Sequence, residues 1–377
     1  MKKVRPFSQF CAQLRQQHLL RHLPHTRTFP HDFSTNDYLG LSQHPALIKA
    51  AIHAADQYGV GSKASRLLSL QQTALLALEA DIARSKQTEN ALIFATGFQA
   101  NLSAISALLD AKVLGATPLV FADRLNHASM HVACQLANVK QLRFRHCDYE
   151  HLAWLLQKNK NSKQPKFIFT ESVFGMDGDV ACLSSLIKLA KVHDAILYVD
   201  EAHATGVFGY GLTADFKGEI DICMGTFSKA LGGSGAYIAC SRVLKRYFIN
   251  RCQGLIYSTA PSPMQVAAMH QAWELIPRLQ KKAQQLLITA QDVRQQLQQL
   301  GFNTGTSTTH IIPLILQDAG KTLAAQRFFE QQGIKLSAIR PPSVPMRQSR
   351  LRIALTTEHS QEAIKALLQA AAQNTPY

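Results

Sequence analysis

The chain has 377 residues, of which 46% are hydrophobic, and its 40 Lys and Arg against 25 Asp and Glu give a formal net charge of +15. A chain of this size can bury a large core, and we expect a main domain and a smaller one. No apolar run approaches the ~18–20 residues of a membrane span, and no apolar stretch follows the basic N-terminus as in a secretory signal. The composition therefore argues against a membrane protein and favours a cytoplasmic one.

The cysteines and histidines limit the chemistry further. The seven cysteines include no Cys-x-x-Cys pair, and scattered thiols in odd number are typical of reduced cytoplasmic proteins. The 15 histidines show no zinc-type spacing, so we predict no metal site. The basic residues are spread along the chain, which favours a charged, soluble surface that could also steer a polyanionic partner.

The first 90 residues predict helices joined by turn-rich links. The predicted helices cover 8–22, 45–58 and 71–84. Turn residues dominate 33–41, and small residues dominate 59–66. We therefore expect a short N-terminal helical segment over 1–45.

A strand, a tight turn and a helix follow one another from Ala91 to Leu109. The turn falls at Thr96-Gly97, directly before the helical pattern begins. Free backbone N–H groups and the helix dipole favour an anion at such a position. The alternative is an ordinary strand–helix turn of an α/β domain.

Apolar strand patterns then recur with helical stretches between most of them. They lie at 118–122, 141–144, 166–170, 196–199, 222–224 and 236–240. This alternation predicts a mostly parallel sheet covered by helices on both faces, in a large α/β domain over 46–270. Polar residues at the carboxyl ends of such strands converge on one crevice, where open α/β sheets bind ligands.

The strand at 196–199 leads into Asp200-Glu-Ala-His203, and Lys229 follows within Thr226-Phe-Ser-Lys with glycines directly behind it. A carboxylate at a strand end and a lysine on a slim backbone fit a pyridoxal phosphate (PLP) site. The lysine would form a Schiff base, and the carboxylate would keep the pyridine nitrogen protonated. A capping carboxylate and a solvated lysine are the alternative interpretation.

The letters of Asp200–His203 also match the acidic box of DEAH-type helicases, and a net charge of +15 would suit a nucleic-acid partner. That interpretation requires a Gly-x-x-x-x-Gly-Lys-Ser/Thr loop upstream. The nearest candidate, Gly59-Val-Gly-Ser-Lys63, has the wrong spacing. We therefore expect no nucleic-acid partner.

The pattern changes towards the C-terminus. A long helical stretch over 264–300 is predicted to be interrupted at Pro277 and stopped by Gly301. Strands at 311–316 and 350–355 then alternate with helices at 321–332 and 360–373. This pattern predicts a smaller α+β domain over 271–377.

Taken together, the motifs resemble those of the α-oxoamine synthase family of fold-type-I PLP enzymes. The matching segments are Asn36–Ser42, Gly61–Arg66, Ala95–Phe98, Asp123–Ser129, Val173–Asp179, Val199–Gly206 and Thr226–Lys229. The resemblance covers about residues 30 to 360 and implies PLP fold type I.

The resemblance implies a set of cofactor contacts. They are Lys229, Gly97, Phe98, His127, Asp200, His203, Thr226, Ser172, Gly175 and Thr259. The catalytic residues among them are Lys229, His127, Asp200 and His203. His127 is expected to stack on the ring, and His203 to hydrogen-bond its phenolic oxygen. Thr259 is expected to reach the phosphate bound by a neighbouring subunit, which implies a homodimer.

The resemblance also implies the decarboxylative condensation of an amino acid with an acyl thioester. The segments 255–260, 338–345 and 350–352 favour the subgroup that uses L-alanine and a pimeloyl thioester carried on coenzyme A or an acyl carrier protein. The expected substrate contacts are Arg21, Asn36, His127, Ser343 and Arg352. Sister enzymes that use other substrates stay open: 2-amino-3-ketobutyrate ligase, 5-aminolevulinate synthase, serine palmitoyltransferase and autoinducer synthases.

Two segments depart from the family pattern. Gly175 stands where related synthases often carry Ser, so a hydroxyl contact to the cofactor is either missing or supplied by Ser172. The stretch 67–73 lacks the usual glycine and histidine after the Ser-Arg pair. This stretch lines the substrate entrance in the family, so acyl specificity stays open.

Overall fold

A computed structural model describes residues 2–23, 27–69 and 73–374. The chain divides into two compact units. The large unit comprises Asp37–Phe174 and Val180–Gln284. The small unit comprises Met1–Asn36, Gly175–Asp179 and Gln285–Tyr377.

Helices and strands alternate through most of the chain. The helices are α1 (Arg5–Gln16), α2 (Pro45–Tyr58), α3 (Thr73–Ser85), α4 (Gly97–Leu108), α5 (Ala111–Leu114), α6 (Ala128–Leu136), α7 (Tyr149–Lys158), α8 (Leu183–Val192), α9 (Arg242–Arg251), α10 (Gln253–Ile256), α11 (Pro263–Gln299), α12 (Ala319–Gln331) and α13 (Gln361–Gln373). The strands are β1 (His31–Asp32), β2 (Asn90–Phe94), β3 (Leu119–Asp123), β4 (Gln141–Phe144), β5 (Lys166–Glu171), β6 (Ala195–Asp200), β7 (Ile222–Thr226), β8 (Ala236–Cys240), β9 (Ile311–Gln317), β10 (Ile334–Lys335), β11 (Ser337–Ile339) and β12 (Ser349–Ala354).

The large unit is built on a seven-stranded sheet with the order β2-β8-β7-β6-β5-β3-β4. Strand β8 is antiparallel to both neighbours, and the other pairs are parallel, so the predicted mostly parallel sheet is confirmed. Along β5, Phe167 and Phe169 join one apolar cluster and Ile168 joins another. Alternate side chains therefore enter two cores, and both faces of the sheet are covered.

The parallel strands place polar residues at one edge of this sheet. Glu171 ends β5 and pairs in register with Asp200, which ends β6. Asp200 pairs in turn with Met224 of β7, two residues before Thr226. The expected convergence of polar strand ends therefore occurs at this edge.

The small unit contains an antiparallel sheet with the order β11-β12-β9 and a parallel pair, β1 with β10. The predicted strands near 311–316 and 350–355 are confirmed as β9 and β12. The short strands β1, β10 and β11 were not predicted, because two or three residues carry no measurable periodicity.

Two predicted helix features are wrong. The helix predicted over 8–22 ends at Gln16, because His18 has φ +58° and the N–H groups of Leu19 and Leu20 both bond to the Leu14 carbonyl. The expected interruption at Pro277 is absent from α11, which runs on through the proline. Buried Ile276 lies next to it, and packing outweighs the single hydrogen bond that proline removes.

The two units divide the chain differently from the three predicted segments. The N-terminal segment belongs to the small unit, because β1 pairs with β10 and the Ala354 N–H donates to the Phe33 carbonyl at 2.9 Å. The division in the C-terminal half falls inside α11, at Gln284, and not near residue 270. None of the helices in the described part of the chain has the length and apolar character to span a membrane.

Candidate active site

Asp200 is held at the end of β6 with only 3% of its surface exposed. Its Oδ1 accepts a hydrogen bond from the Ala202 N–H at 2.9 Å, and its Oδ2 accepts one from Asn101 Nδ2 at 2.8 Å. Because both carboxylate oxygens are bonded, the orientation of the side chain is fixed.

Asn101 joins Asp200 to two further side chains that were not among the predicted site residues. Its Nδ2 also lies 2.9 Å from Ser129 Oγ, and its Oδ1 accepts a hydrogen bond from the Tyr198 hydroxyl at 2.7 Å. Tyr198 could have been predicted, because it lies two residues before Asp200 in the same strand and so shares a face of the sheet with it. Asn101 gave no such signal, because a polar residue inside a helix has many possible neighbours.

His127 lies at the N-cap of α6 with its Nδ1 2.7 Å from Ser129 Oγ. Burial lowers the pKa of His127, the Asp200 carboxylate raises it and the Lys229 ammonium lowers it, with a net shift below the usual value. Asp200 and Lys229 are therefore both within electrostatic reach of this imidazole. The structure thus brings together three of the four predicted catalytic residues.

Lys229 follows β7 in a tight glycine-rich turn. Its carbonyl accepts a hydrogen bond from the Gly232 N–H at 2.9 Å, and the Gly233 N–H donates to the Phe227 carbonyl at 2.8 Å. Gly232 has φ +63°, and a Cβ built there would come within 2.2 Å of the Ser42 nitrogen. Only glycine fits, which explains part of the glycine pattern behind the lysine.

The predicted anion site falls at the start of α4. Thr96 caps this helix by accepting a hydrogen bond from the Gln99 N–H at 3.1 Å. A Cβ built on Gly97 would come within 2.6 Å of Thr226 Cγ2, so the backbone of one approaches the side chain of the other. Among the described residues, the buried Thr226 Oγ1 has no hydrogen-bond partner. A phosphate with several acceptor oxygens could accept hydrogen bonds from both the Thr226 hydroxyl and the backbone N–H groups at the start of α4.

A second orphaned hydroxyl is found on Ser172, which is fully buried. Its Oγ has no hydrogen-bond partner within the described part of the chain, although its N–H donates to the Asp200 carbonyl at 2.8 Å. Ser172 therefore lies beside the strand end that carries Asp200. Gly175, the other position considered for this contact, belongs to the small unit.

His203 is buried and its Nδ1 lies 2.8 Å from the Tyr38 hydroxyl. Tyr38 is fully buried and was not among the predicted site residues. Phe98 lies with its ring edge towards His127, at 6.5 Å between centroids. Thr259 is exposed and forms an isolated backbone bridge with Ser65.

In the small unit, Arg352 is 4% exposed and its guanidinium is oriented by two acceptors. Its Nε donates to the Gly175 carbonyl at 2.7 Å and its Nη1 to Asn36 Oδ1 at 3.0 Å. Arg21 donates through Nη2 to Ser343 Oγ at 3.1 Å. The predicted substrate contacts of this unit therefore form two pairs.

Asp123, His146 and Cys147 bring potential metal-ligand atoms within 4.8 Å of one another. Both carboxylate oxygens of Asp123 already accept hydrogen bonds, Oδ1 from the Leu125 N–H and Oδ2 from the Cys147 N–H, each at 2.9 Å. The proximity of the three side chains is therefore explained by a turn in which Asp123 accepts backbone hydrogen bonds.

The sheet, the placement of Asp200 and Lys229 around His127, and the anion cradle at the start of α4 are the features of a PLP-dependent enzyme of fold type I. A family model described as aminotransferase class I and II matches residues 31–370. The chain belongs to this family, and its cofactor is PLP. The helicase interpretation of Asp200–His203 is therefore wrong.

Two curated relatives are similar over most of their length. The 8-amino-7-oxononanoate synthase of Gluconacetobacter diazotrophicus is 45% identical over 344 residues, which cover 90% of this chain and 86% of that one. A relative in Paramagnetospirillum magneticum, provisionally given the same name, is 48% identical over 342 residues, which cover 90% and 87%.

Solved structures of two named enzymes are also similar. A serine palmitoyltransferase from Sphingomonas wittichii has a TM-score of 0.88 and 27% identity, covering 98% of this chain and 96% of that one. An 8-amino-7-oxononanoate synthase from Francisella tularensis has a TM-score of 0.76 and 26% identity, covering 91% and 97%.

Proposed function

We propose that the protein condenses L-alanine with a pimeloyl thioester, releasing CO2 and a free thiol, to give 8-amino-7-oxononanoate for biotin biosynthesis. The observation that carries the proposal is the 45% identity with the Gluconacetobacter synthase along nearly the whole chain. The grouping of Lys229, Asp200 and His127 supports it, because this reaction needs an amino-acid carbanion.

PLP, when bound, withdraws electrons from the amino acid and so makes its Cα–H bond acidic. We propose Lys229 as the covalent anchor of the cofactor. Once alanine takes its place, the Lys229 amine acts as the base that removes the Cα proton. The same amine can later return a proton at this carbon.

The other residues of the large unit are proposed to hold the ring. The Asp200 carboxylate would accept a hydrogen bond from the protonated pyridine nitrogen, which keeps the ring cationic. His203 would bond the phenolic oxygen, and His127 would stack on the ring face. The lowered pKa of His127, to which burial contributes most, favours its neutral form, so it would add no positive charge beside the ring.

The phosphate is proposed to lie at the start of α4. The backbone amides of Gly97 and Phe98 and the orphaned Thr226 hydroxyl would bind it. The orphaned Ser172 hydroxyl is proposed as a further cofactor donor, since Gly175 has none. The exposed Thr259 would serve the phosphate of a neighbouring subunit.

For the substrates, we propose that Arg352 binds the alanine carboxylate, oriented by Asn36. The Arg21–Ser343 pair is proposed to contact the acyl donor. The alanine Cα attacks the thioester carbonyl, and the C–S bond breaks with its electron pair leaving on the thiol. The alanine carboxylate then leaves as CO2, and a proton replaces it at Cα.

A homodimer is proposed because apolar side chains are exposed on the large unit around α2 and the following loop. They are Ile48, Ile52, Tyr58, Val60, Leu67 and Leu68. Exposed apolar side chains that are grouped in this way are typical of surfaces that bind another protein chain. Sedimentation should give a dimer, and a monomer with full activity would contradict the shared active site.

A serine palmitoyltransferase-type activity is the second candidate, because two structures of such enzymes have TM-scores of 0.89 and 0.88, against 0.76 for the Francisella synthase. A panel of alanine, glycine and serine against pimeloyl, acetyl, succinyl and palmitoyl thioesters separates the two. We expect alanine with the pimeloyl donor to have the highest kcat/KM. A higher value for serine with palmitoyl-CoA would overturn the proposal.

A related experiment tests the carrier of the acyl group. The net charge of +15 favours an acidic carrier protein over coenzyme A alone. We expect kcat/KM with the carrier-bound donor to fall as salt rises. A kcat/KM that does not depend on salt would count against the carrier protein.

A further inference from the structure

Glu201, next to Asp200, carries a fully buried carboxylate that the steps above do not use. It forms an ion pair with Lys86, and both side chains are 0% exposed. Oε1 also accepts a hydrogen bond from the Thr213 N–H at 2.7 Å. Oε2 accepts hydrogen bonds from the Thr213 hydroxyl at 2.7 Å and the Cys223 thiol at 2.8 Å.

The backbone of Glu201 holds the segment that carries two proposed cofactor contacts. Its N–H donates to the Met224 carbonyl at 2.6 Å, which ties the turn to β7. Its carbonyl accepts hydrogen bonds from the N–H groups of Ala204 and Thr205, each at 2.9 Å. His203 lies inside this hydrogen-bonded turn.

Lys86 holds the Glu201 carboxylate through its ammonium group. Besides Glu201, its Nζ donates to the Tyr210 carbonyl at 2.8 Å. A Cβ built on Gly211 would come within 2.6 Å of Glu201 Oε2, so only glycine leaves space for the carboxylate at this point. Burial alone would lower the pKa of Lys86, but charged neighbours that include Glu201 raise it above its usual value.

A buried ion pair of this kind is a poor source of stability. The desolvation of two charges offsets most of their attraction, and apolar replacements are often neutral or stabilising. Glu201 follows Asp200 directly in the chain, and its backbone bonds shape the turn that carries His203. The ion pair is therefore better explained as a device that orients the turn after Asp200 than as a source of stability.

We propose that Glu201 and Lys86 are positioning residues that fix the turn from Asp200 to His203, so that the carboxylate and the imidazole are set for the cofactor ring. This inference rests on the proposed roles of Asp200 and His203. Neither Glu201 nor Lys86 needs to touch the cofactor.

The test is the double variant Lys86→Met/Glu201→Gln, which removes both charges with little change of volume. We expect the apoprotein to unfold at the same denaturant concentration as the wild type or a higher one. We expect the Kd for PLP to rise and kcat to fall, each about tenfold or more, with the KM for alanine nearly unchanged. The pH dependence of the absorption of the bound cofactor should also differ from that of the wild type.

The control is Lys245→Met, which breaks a largely buried ion pair with Glu79 elsewhere in the large unit, at 2.8 Å. We expect this variant to lose stability without changing the Kd for PLP. A double variant that loses stability alone, or that keeps the wild-type Kd and kcat, would overturn the inference.

Asp200→Asn separates this inference from the proposed function. If Asp200→Asn binds PLP and turns over like the wild type, the proposed roles themselves fail. If only the double variant behaves like the wild type, the positioning role fails.

If the double variant does not fold, the variant Thr213→Val tests the positioning role instead. This variant removes one hydrogen bond to Glu201, and an unchanged Kd for PLP would overturn the inference.

Discussion

The hydroxyl of Tyr38 lies 2.8 Å from Nδ1 of His203, and both side chains are buried in the large unit. A histidine can offer its second nitrogen to a ligand in a defined orientation only when the first nitrogen is held. Tyr38 therefore fixes the orientation of His203, as Asn101 fixes that of Asp200. The two proposed ring contacts are each fixed from behind by a neutral hydrogen-bonding side chain.

Removing this hydroxyl should weaken both the fold and the site. In Tyr38→Phe, His203 Nδ1 loses a buried partner, which costs about 1–3 kcal/mol of unfolding free energy. We expect kcat to fall roughly tenfold, because the imidazole is no longer held. Denaturant unfolding and steady-state kinetics measure the two effects. Tyr247→Phe is the matched control, because it removes a hydroxyl that donates to the Ala107 carbonyl at 2.6 Å; it should lower stability and leave kcat unchanged.

Asn101 gives a prediction with a graded outcome. Asn101→Ala removes one hydrogen bond to Asp200, and we expect the Kd for PLP to rise several-fold to about tenfold. Asn101→Asp places a second carboxylate beside Asp200, which raises the pKa of the pair and weakens its hold on a protonated ring nitrogen. The aspartate variant should therefore be the worse of the two. Equal Kd values for PLP in the two variants would contradict this account of Asp200.

These two partners show where sequence reasoning stopped. The parallel sheet and the position of Asp200 at a strand end could be predicted, because strand periodicity and apolar runs are local signals. Tyr38 and Asn101 are far from His203 and Asp200 in the chain. Their contacts depend on how α4 and the turn before α2 pack onto the sheet, and no local pattern encodes that packing.

The domain boundaries show the same limit. The segment before Asn36 belongs to the small unit through β1, a strand of two residues paired with Ile334 and Lys335. No periodicity can be detected in so short a strand. Pro277 illustrates the opposite case, since a strong local signal for a helix end was outweighed by the packing of α11.

Arg352 provides a test of the proposed alanine site. Arg352→Lys keeps the charge but loses the planar fork that binds a carboxylate through two hydrogen bonds. We expect the KM for alanine to rise at least about tenfold, with a smaller change in kcat. Arg350→Lys is the matched control, because Arg350 lies on the same face of β12 and pairs with Asp177 at 2.5 Å. The control should lose stability and leave this KM unchanged.

His359 in the small unit is held as a neutral imidazole. Its Nδ1 accepts a hydrogen bond from the Thr356 N–H at 2.9 Å, and its Nε2 donates to the Asp32 carbonyl at 3.0 Å. Its ring stacks on Phe33 at 4.0 Å between centroids. Burial lowers the pKa of His359, against the opposing bond to the Asp32 carbonyl and the charges of Asp32 and Glu358.

A lowered pKa in the folded state means that the unfolded chain binds the proton first as the pH falls. The stability that neutral His359 contributes is therefore complete above the unfolded pKa of about 6.5 and is lost as the pH drops towards the folded value. In His359→Gln, we expect the unfolding free energy to depend less on pH between about 6.5 and 5. Exposed His53→Gln is the control and should keep the wild-type slope. If His359→Gln also keeps that slope, protonation of this imidazole does not drive acid unfolding.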